Sequence, residues 1–174
     1  MIKIKILPLE GIEIENIGKL YLGQAKPDIE KLLGTPSANS NLQQLFYDHY
    51  ELRIDLDHNE NAEFIEFIYG PFQERTELSI YGINPFQIGA DKLIEILKEK
   101  NKGKIDDSEA GYSYAFLNIS VGIWRQSTEK GIDESIAEMK ANQEYEENKD
   151  WLNEDLNKAK NFWTIGIGVK NYYE

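Results

Sequence analysis

The sequence predicts an α+β protein, and three observations lead to this prediction. Several segments alternate apolar and polar residues with a period of two, as half-buried strands do. Other segments repeat apolar residues three and four positions apart, as amphipathic helices do. A helix followed by antiparallel strands is indicated twice along the chain. We therefore expect a single domain with two helix-plus-antiparallel-sheet halves, residues 1–82 and 83–174.

The first half is predicted to begin with a strand, "MIKIKI", in which lysine and isoleucine alternate. A short helix is expected at 26–33, because Pro27 suits a first helical turn and Gly34 and Pro36 end it. The segment "QLFYDHYELRIDLD" alternates throughout and predicts one long strand. Two further strands are expected in "AEFIEFIYG" and "TELSIYG".

The second half is predicted to repeat this order with a helical insertion. "IGADKLIEILKEK" is the clearest amphipathic helix, and "GYSYAFLNISVGIWR" and "FWTIGIGVKNYY" are typical of strands. Between these strands, residues 128–160 carry two apolar helical stripes separated by a polar run near 141–150. We expect two inserted helices with a break between them, before the last strand.

One strand face in the second half is the main candidate for binding. Continuous alternation through 112–124 would place an aliphatic set inward, and aromatic and small polar residues outward. The outward aromatic residues are the predicted partner contacts: Tyr112, Tyr114, Phe116 and Trp124. Aromatic side chains with small polar neighbours are typical of interfaces. The alternative is that the inserted helices cover this face, which would move the interface to the edge that carries Tyr47, Glu51 and Arg53.

A calcium loop is the sharpest alternative chemistry. "DLDHNENAEFIE", residues 55–66, places oxygen-bearing side chains at positions 1, 3, 5, 7, 9 and 12 of an EF-hand loop. Position 6, which needs glycine for a sharp turn, is Glu60, and the flanking segments alternate like strands. We interpret the stretch as the tip of a hairpin, since Asn and Asp tolerate turn conformations, and we expect no metal and no cofactor.

Composition limits the function classes. The chain has no cysteine and two histidines, which excludes disulfides, thiolate catalysis and cysteine-ligated zinc. Acidic residues number 31 against 19 basic ones, so the net charge is −12. This charge disfavours nucleic acid and anionic membranes as partners and favours a basic protein. No membrane span and no signal peptide are indicated, so we expect a cytoplasmic location.

Other catalytic patterns are weak. The acidic pairs, such as Asp106–Asp107, have no spacing that identifies glycosidase carboxylates, and no serine lies in a G-x-S-x-G elbow. The glycines of "IGIGVK" lie in a strand pattern, so we expect them to admit a close approach of another group rather than bind phosphate.

"IGKLYLGQAKPDIEKLLGTPS" followed by "LFYDHYELRIDLD" resembles the repeat of the beta-lactamase-inhibitor-protein-like fold. The likeness covers residues 17–57; the second half is similar only in the order of its elements. In size, charge and lack of catalytic motifs the chain also resembles the immunity proteins of bacterial polymorphic toxin systems. These resemblances imply a fold and a type of role, and no functional residues.

Together these observations predict an intracellular protein-binding inhibitor, an immunity protein that neutralises a bacterial toxin. The alternative is a small-ligand-binding protein or enzyme that uses the open sheet face, with Glu51, Arg53, His49 and Tyr112 as its polar groups. A pocket with converging carboxylates would favour the alternative, and a broad shallow face would favour the inhibitor. The sequence leaves the oligomeric state open.

Overall fold

The computed structural model describes residues 1–174, apart from the side chain of Pro71. Eleven strands form two sheets in this described part of the chain, with four α-helices, and the predicted α+β class is confirmed. The strands are β1 Ile2–Leu7, β2 Gly11–Ile14, β3 Gly18–Tyr21, β4 Gln44–Tyr47, β5 Leu52–Leu56, β6 Ala62–Phe67, β7 Thr76–Ile80, β8 Ile105–Asp106, β9 Ser113–Phe116, β10 Val121–Trp124 and β11 Thr164–Gly168. The helices are α1 Lys26–Leu33, α2 Ala90–Asn101, α3 Glu129–Ala141 and α4 Tyr145–Ala159.

The smaller sheet contains strands from residues 1–80 only. Its order is β3-β2-β1-β7, and β1 pairs with β7 in parallel while the other pairs are antiparallel. The alternation in β1 works as predicted, because Ile4 and Ile6 are buried and Lys3 and Lys5 are exposed.

The larger sheet is fully antiparallel and has the order β4-β5-β6-β11-β10-β9-β8. Near its middle, β6 from the first half of the chain pairs with β11 from the second half. On one side of this junction lies the hairpin β4–β5, and on the other side lies the hairpin β9–β10. Each hairpin follows a helix in the sequence, α1 or α2, so a helix–hairpin unit occurs twice.

One face of the larger sheet, which we call the inner face, packs into the core. A single cluster of buried apolar residues joins this face to the smaller sheet and to α1 and α2. Ile29 of α1 and Leu93 and Leu97 of α2 have no exposed surface. Burying such side chains contributes about 1.5–3 kcal/mol each to folding, so this cluster is the main source of stability.

Two of the predicted long strands are in fact hairpins. The chain turns back at Asp48–Tyr50 and again at Leu117–Ile119, and each 3₁₀ turn ends in a left-handed residue, Glu51 (φ 53°) or Ser120 (φ 48°). Tyr47 therefore pairs with Leu52, and Phe116 pairs with Val121. Because these partners are five positions apart, the buried positions change between odd and even numbers at each turn. The predicted phase therefore holds after each turn, in β5 and β10, and is wrong before it, in β4 and β9.

The helical insertion forms a separate helical hairpin between β10 and β11. Thr128 begins α3, its hydroxyl accepting the Gly131 N–H at 3.1 Å. No residue of α3 is fully buried, whereas α4 buries Leu152 and Ala159, both outside the main core cluster. None of the described helices combines the length and apolar character that a membrane span requires.

Candidate partner-binding site

The second face of the larger sheet, which we call the outer face, carries a row of directly paired residues. Across five neighbouring strands and β8 the row runs Arg53, Glu66, Gly166, Gly122, Ala115 and Asp106. Charged residues therefore stand near both ends, and the middle has almost no side chains. Strands lie about 4.8 Å apart, so the backbones of Glu66 and Asp106 are separated by about 19 Å.

A cavity of about 460 Å³ opens over the middle of this row. Its aromatic walls are Phe64, Trp124, Tyr172 and Tyr173, and its acidic residues are Glu66, Asp106 and Glu109. Small residues form much of the remainder: Ser108, Ser113, Ala115, Gly122 and Thr164. No lysine lines it among the described residues, so a bound molecule would meet aromatic rings and negative charge.

The C-terminal segment provides part of these walls. Its chain turns back after β11, so that Tyr172 stacks on Phe64 with ring centroids 4.6 Å apart, and Tyr173 lies against Gly122. A Cβ atom at Gly122 would overlap the Tyr173 ring, one at Gly166 would overlap Phe64, and one at Gly168 would overlap Tyr172. The expectation that the glycines of "IGIGVK" admit a close approach is confirmed, but the strand ends at Gly168 rather than continuing through the tyrosines.

At one end of the cavity, one arginine forms ion pairs with two carboxylates. Arg53 Nε lies 2.9 Å from Asp55 Oδ1, and Arg53 Nη2 lies 3.0 Å from Glu66 Oε2. Burial raises the pKa of the Glu66 carboxyl above its ordinary value, an effect that Arg53 and a hydrogen bond with Thr164 oppose and Asp55 reinforces. The group of three side chains carries one more negative than positive charge, and Glu66 borders the cavity.

At the other end of the cavity, the loop between β8 and β9 adds exposed acidic residues. Asp106 Oδ1 accepts the Ser108 N–H at 3.1 Å, and this bond is the main reason that the pKa of Asp106 is lowered. Asp107 and Glu109 are also exposed. This loop separates the cavity from a shallower depression, which is lined by Tyr112, Trp124, Arg125 and Gln126 among others.

Trp124 belongs to both concavities and begins a surface row of aromatic rings. Its ring meets Trp163 edge-on at a centroid distance of 6.4 Å, and Trp163 meets Phe72 in the same way at 6.1 Å. Trp124 is 42% exposed and Phe72 46% exposed. We call Trp124, Trp163 and Phe72 the aromatic row. Exposed aromatic rings in contact with one another are typical of surfaces that bind other proteins.

The predicted aromatic contacts divide between the two faces of the sheet. Tyr112 and Trp124 are exposed and line the same depression, so the inserted helices do not cover them. Phe116 is a correction, because it has no exposed surface and lies in the core. Tyr114 packs edge-on against Phe162 on the core side, and its hydroxyl accepts the Gly111 N–H at 2.9 Å.

The two partner contacts predicted in the first half, Glu51 and Arg53, lie in different environments. Glu51 is only 5% exposed, so it presents no surface to a partner. Its carboxylate accepts the backbone N–H groups of Glu74, Arg75 and Thr76 at 2.8, 3.2 and 3.0 Å, and also the Thr76 hydroxyl. Arg53 does lie on the outer face and reaches the cavity through Glu66. Glu51, Arg53, His49 and Tyr112 therefore do not form one polar site.

The EF-hand-like stretch is the hairpin that the sequence predicts. Leu52–Leu56 and Ala62–Phe67 pair as antiparallel strands, with Asp57 to Asn61 between them. Asp57 Oδ1 accepts the N–H groups of Asn59 and Asn61, each at 2.8 Å, and these bonds contribute to lowering the pKa of Asp57. The carboxylate at position 3 of the loop pattern thus stabilises the turn.

The comparisons with known proteins leave the family open. No family model, no curated protein and no solved structure matches this chain. The functional argument therefore depends on the outer face itself.

Several residues of this site had little signal in the sequence. Glu66 and Thr164 belong to segments predicted as strands, but their neighbours across the sheet could not be assigned without the register. Tyr172 and Tyr173 were included in the last strand. Their only signal is the spacing of Gly122, Gly166 and Gly168, which shows that something lies close without showing what.

Proposed function

We propose that the protein is a cytoplasmic protein-binding inhibitor, an immunity protein that neutralises a basic toxin. The observation that supports this proposal is the aromatic row beside an acidic cavity on the outer face of the larger sheet. Aromatic residues supply buried contact area at low entropic cost, and they dominate the binding energy of many interfaces. A net charge of −12 would speed encounter with a basic partner.

The arrangement also supports a tight rather than a loose contact. Trp124 and Phe72 are held by Trp163, so their rings lose little conformational freedom when a partner covers them. Lys158 of α4 lies 5.1 Å from the Phe72 ring centroid, which ties the helical hairpin to the same surface.

Replacing Trp124 by alanine tests this proposal. A tagged protein is used to capture its partner from a lysate of the source organism, and the partner is identified by mass spectrometry and then purified. We expect Trp124→Ala to weaken binding at least about 30-fold, equivalent to the 2 kcal/mol typical of an anchor residue. Trp151→Ala is the matched control, because Trp151 is 45% exposed on α4 and lies outside the aromatic row. Equal affinities of the two variants would reject the proposed interface.

A second candidate function is the binding of a small cationic molecule. A cavity of about 460 Å³ is within the range of ligand pockets, and its carboxylates stand at both ends. Native mass spectrometry of protein purified from its own host distinguishes this candidate. A single added mass that disappears on unfolding would favour the ligand, and the bare protein mass together with a captured basic partner would favour the inhibitor.

A further inference from the structure

We propose that the cavity receives an arginine side chain of the partner protein. This inference depends on the proposed function, and it adds the chemical group that the outer face recognises. The carboxylates determine only the sign of the charge. The aromatic walls and the short side chains of the floor determine the kind of group.

The walls favour a flat cation. Trp124, Tyr172, Tyr173 and Phe64 surround a floor in which Ala115, Ser113 and Thr164 carry only short side chains. Guanidinium is planar, is weakly hydrated and stacks on aromatic rings, whereas the ammonium of lysine is compact and strongly hydrated. A cation held against such rings is attracted to their faces, and the attraction is stronger the further the cation is desolvated.

The charge balance supports the same group. Asp55 and Glu66 share Arg53, so one negative charge at that end has no partner of its own within the described residues. At the other end, Asp106 and Glu109 line the cavity, and both are exposed. A carboxylate can accept two parallel N–H bonds from one guanidinium, which is the pairing that a single added arginine would complete.

The occupant extends from the partner's surface rather than lying free. The two carboxylate ends are about 19 Å apart along the paired row, which exceeds the reach of one side chain. An arginine would therefore occupy the aromatic middle and one acidic end, while the backbone that bears it crosses the rim beside Trp124. The aromatic row begins at that residue, so the cavity and the proposed interface form one continuous surface.

The test uses a free amino-acid probe, so it does not require the partner. ¹⁵N-labelled protein is titrated with Nα-acetyl-arginine amide, with Nα-acetyl-citrulline amide as a neutral probe of the same shape and Nα-acetyl-lysine amide as a second cation. We expect saturable shifts of the Gly122 and Gly166 amides and of the Trp124 indole, with a dissociation constant on the order of 1–10 mM. Citrulline amide should give no saturable shift, and lysine amide should bind at least about threefold more weakly than arginine amide.

A variant assigns the binding to the cavity. The double variant Asp106→Asn/Glu109→Gln removes two exposed charges from the rim, and we expect it to bind arginine amide at least about threefold more weakly. The proposal is overturned if arginine amide gives no saturable shift, if citrulline amide or lysine amide binds equally well, or if the shifts fall outside the cavity. If the arginine proposal fails in this way, a partner whose binding requires Trp124 would still support the proposed function. If arginine amide binds but no protein partner is found, the proposed function is rejected and the arginine-binding cavity is retained.

Discussion

At the scale of single residues, the outer face is shaped by missing side chains as much as by present ones. Gly122 and Gly166 lie side by side in the sheet, and each is covered by an aromatic ring that a Cβ would displace. Glycine in a strand weakens the sheet by roughly 0.5–1 kcal/mol relative to alanine. These glycines let the rings of Tyr173 and Phe64 pack directly on the sheet, and both rings line the cavity.

Glu51 is a buried carboxylate that stabilises the fold and takes no part in the outer face. It accepts three backbone N–H groups where β7 begins, and it occupies the left-handed position that closes the β4–β5 hairpin. We expect Glu51→Ala to lower the free energy of unfolding by about 3 kcal/mol, since the N–H groups lose a charged acceptor. Urea denaturation measures the change.

Glu77→Ala is the control for this prediction, because Glu77 is an exposed carboxylate on the same strand, β7. We expect it to change stability by less than about 0.5 kcal/mol. Similar losses in the two variants would show that the buried carboxylate of Glu51 has no special part in holding β7.

At the scale of elements, the helices were predictable, and two of the hairpins, β4–β5 and β9–β10, were not. Helix 26–33 was predicted within its observed bounds, because Pro27 and Gly34 mark its two ends. The turns at 48–51 and 117–120 have no Gly and no Asn-Gly pair, and their left-handed positions hold Glu51 and Ser120. Without such signals, alternation seemed continuous across both turns, and the two faces of the strand before each turn were exchanged.

The same error explains how much of the site could be predicted. Trp124 was assigned to the exposed face correctly because it follows the turn, where the predicted phase holds, and Tyr112 is exposed because it precedes β9. Phe116 was assigned to the surface because the hairpin was missed, and it pairs with the buried Val121. The contacts of Glu66 and Tyr173 depend on which strands are neighbours and on the return of the C-terminal segment, and neither is encoded locally.

The helical hairpin of α3 and α4 should behave as a separate unit of stability. Leu152 has no exposed surface and lies outside the main core cluster, while α3 has no fully buried residue. We expect Leu152→Ala to cost about 2–5 kcal/mol within this unit and to speed hydrogen exchange in α3 and α4 without affecting β5, β6 and β11. Hydrogen exchange read by mass spectrometry distinguishes the elements.

Trp151→Ala controls for the loss of a large side chain from the same helix, because Trp151 is exposed. It should leave the exchange rates of both helices close to those of the wild type. If Leu152→Ala instead accelerates exchange uniformly across the sheet strands, then the helical hairpin and the sheets unfold together, and the separate unit does not exist.

At the scale of the whole molecule, the charge of −12 and the structure of the cavity have a common electrostatic consequence. Exposed acidic residues cost little, since water and salt screen them. Glu66 is different, because it is mostly removed from water and shares Arg53 with Asp55. A partly buried negative charge that the fold does not neutralise is typical of functional sites, and here it borders the cavity proposed to take a cation.

The pH dependence of stability tests this description of Glu66. Two effects compete: burial raises the pKa of Glu66, and the Arg53 contact at 3.0 Å lowers it. Burial dominates, so the folded protein holds the Glu66 proton to a higher pH than the unfolded chain, whose glutamates titrate at about 4.3.

Because the folded state binds more protons than the unfolded chain, protonation of Glu66 stabilises the fold. This stabilisation is complete below the unfolded-state pKa of about 4.3 and is lost as the pH rises through the raised folded-state pKa of Glu66. Glu66→Gln cannot titrate, so we expect the wild-type free energy of unfolding, minus that of the variant, to fall as the pH rises above about 4.3. Urea denaturation of both proteins at unit pH intervals measures this difference. A difference that instead rises with pH would mean that Arg53 outweighs burial, and that Glu66 is already neutralised before any cationic partner arrives.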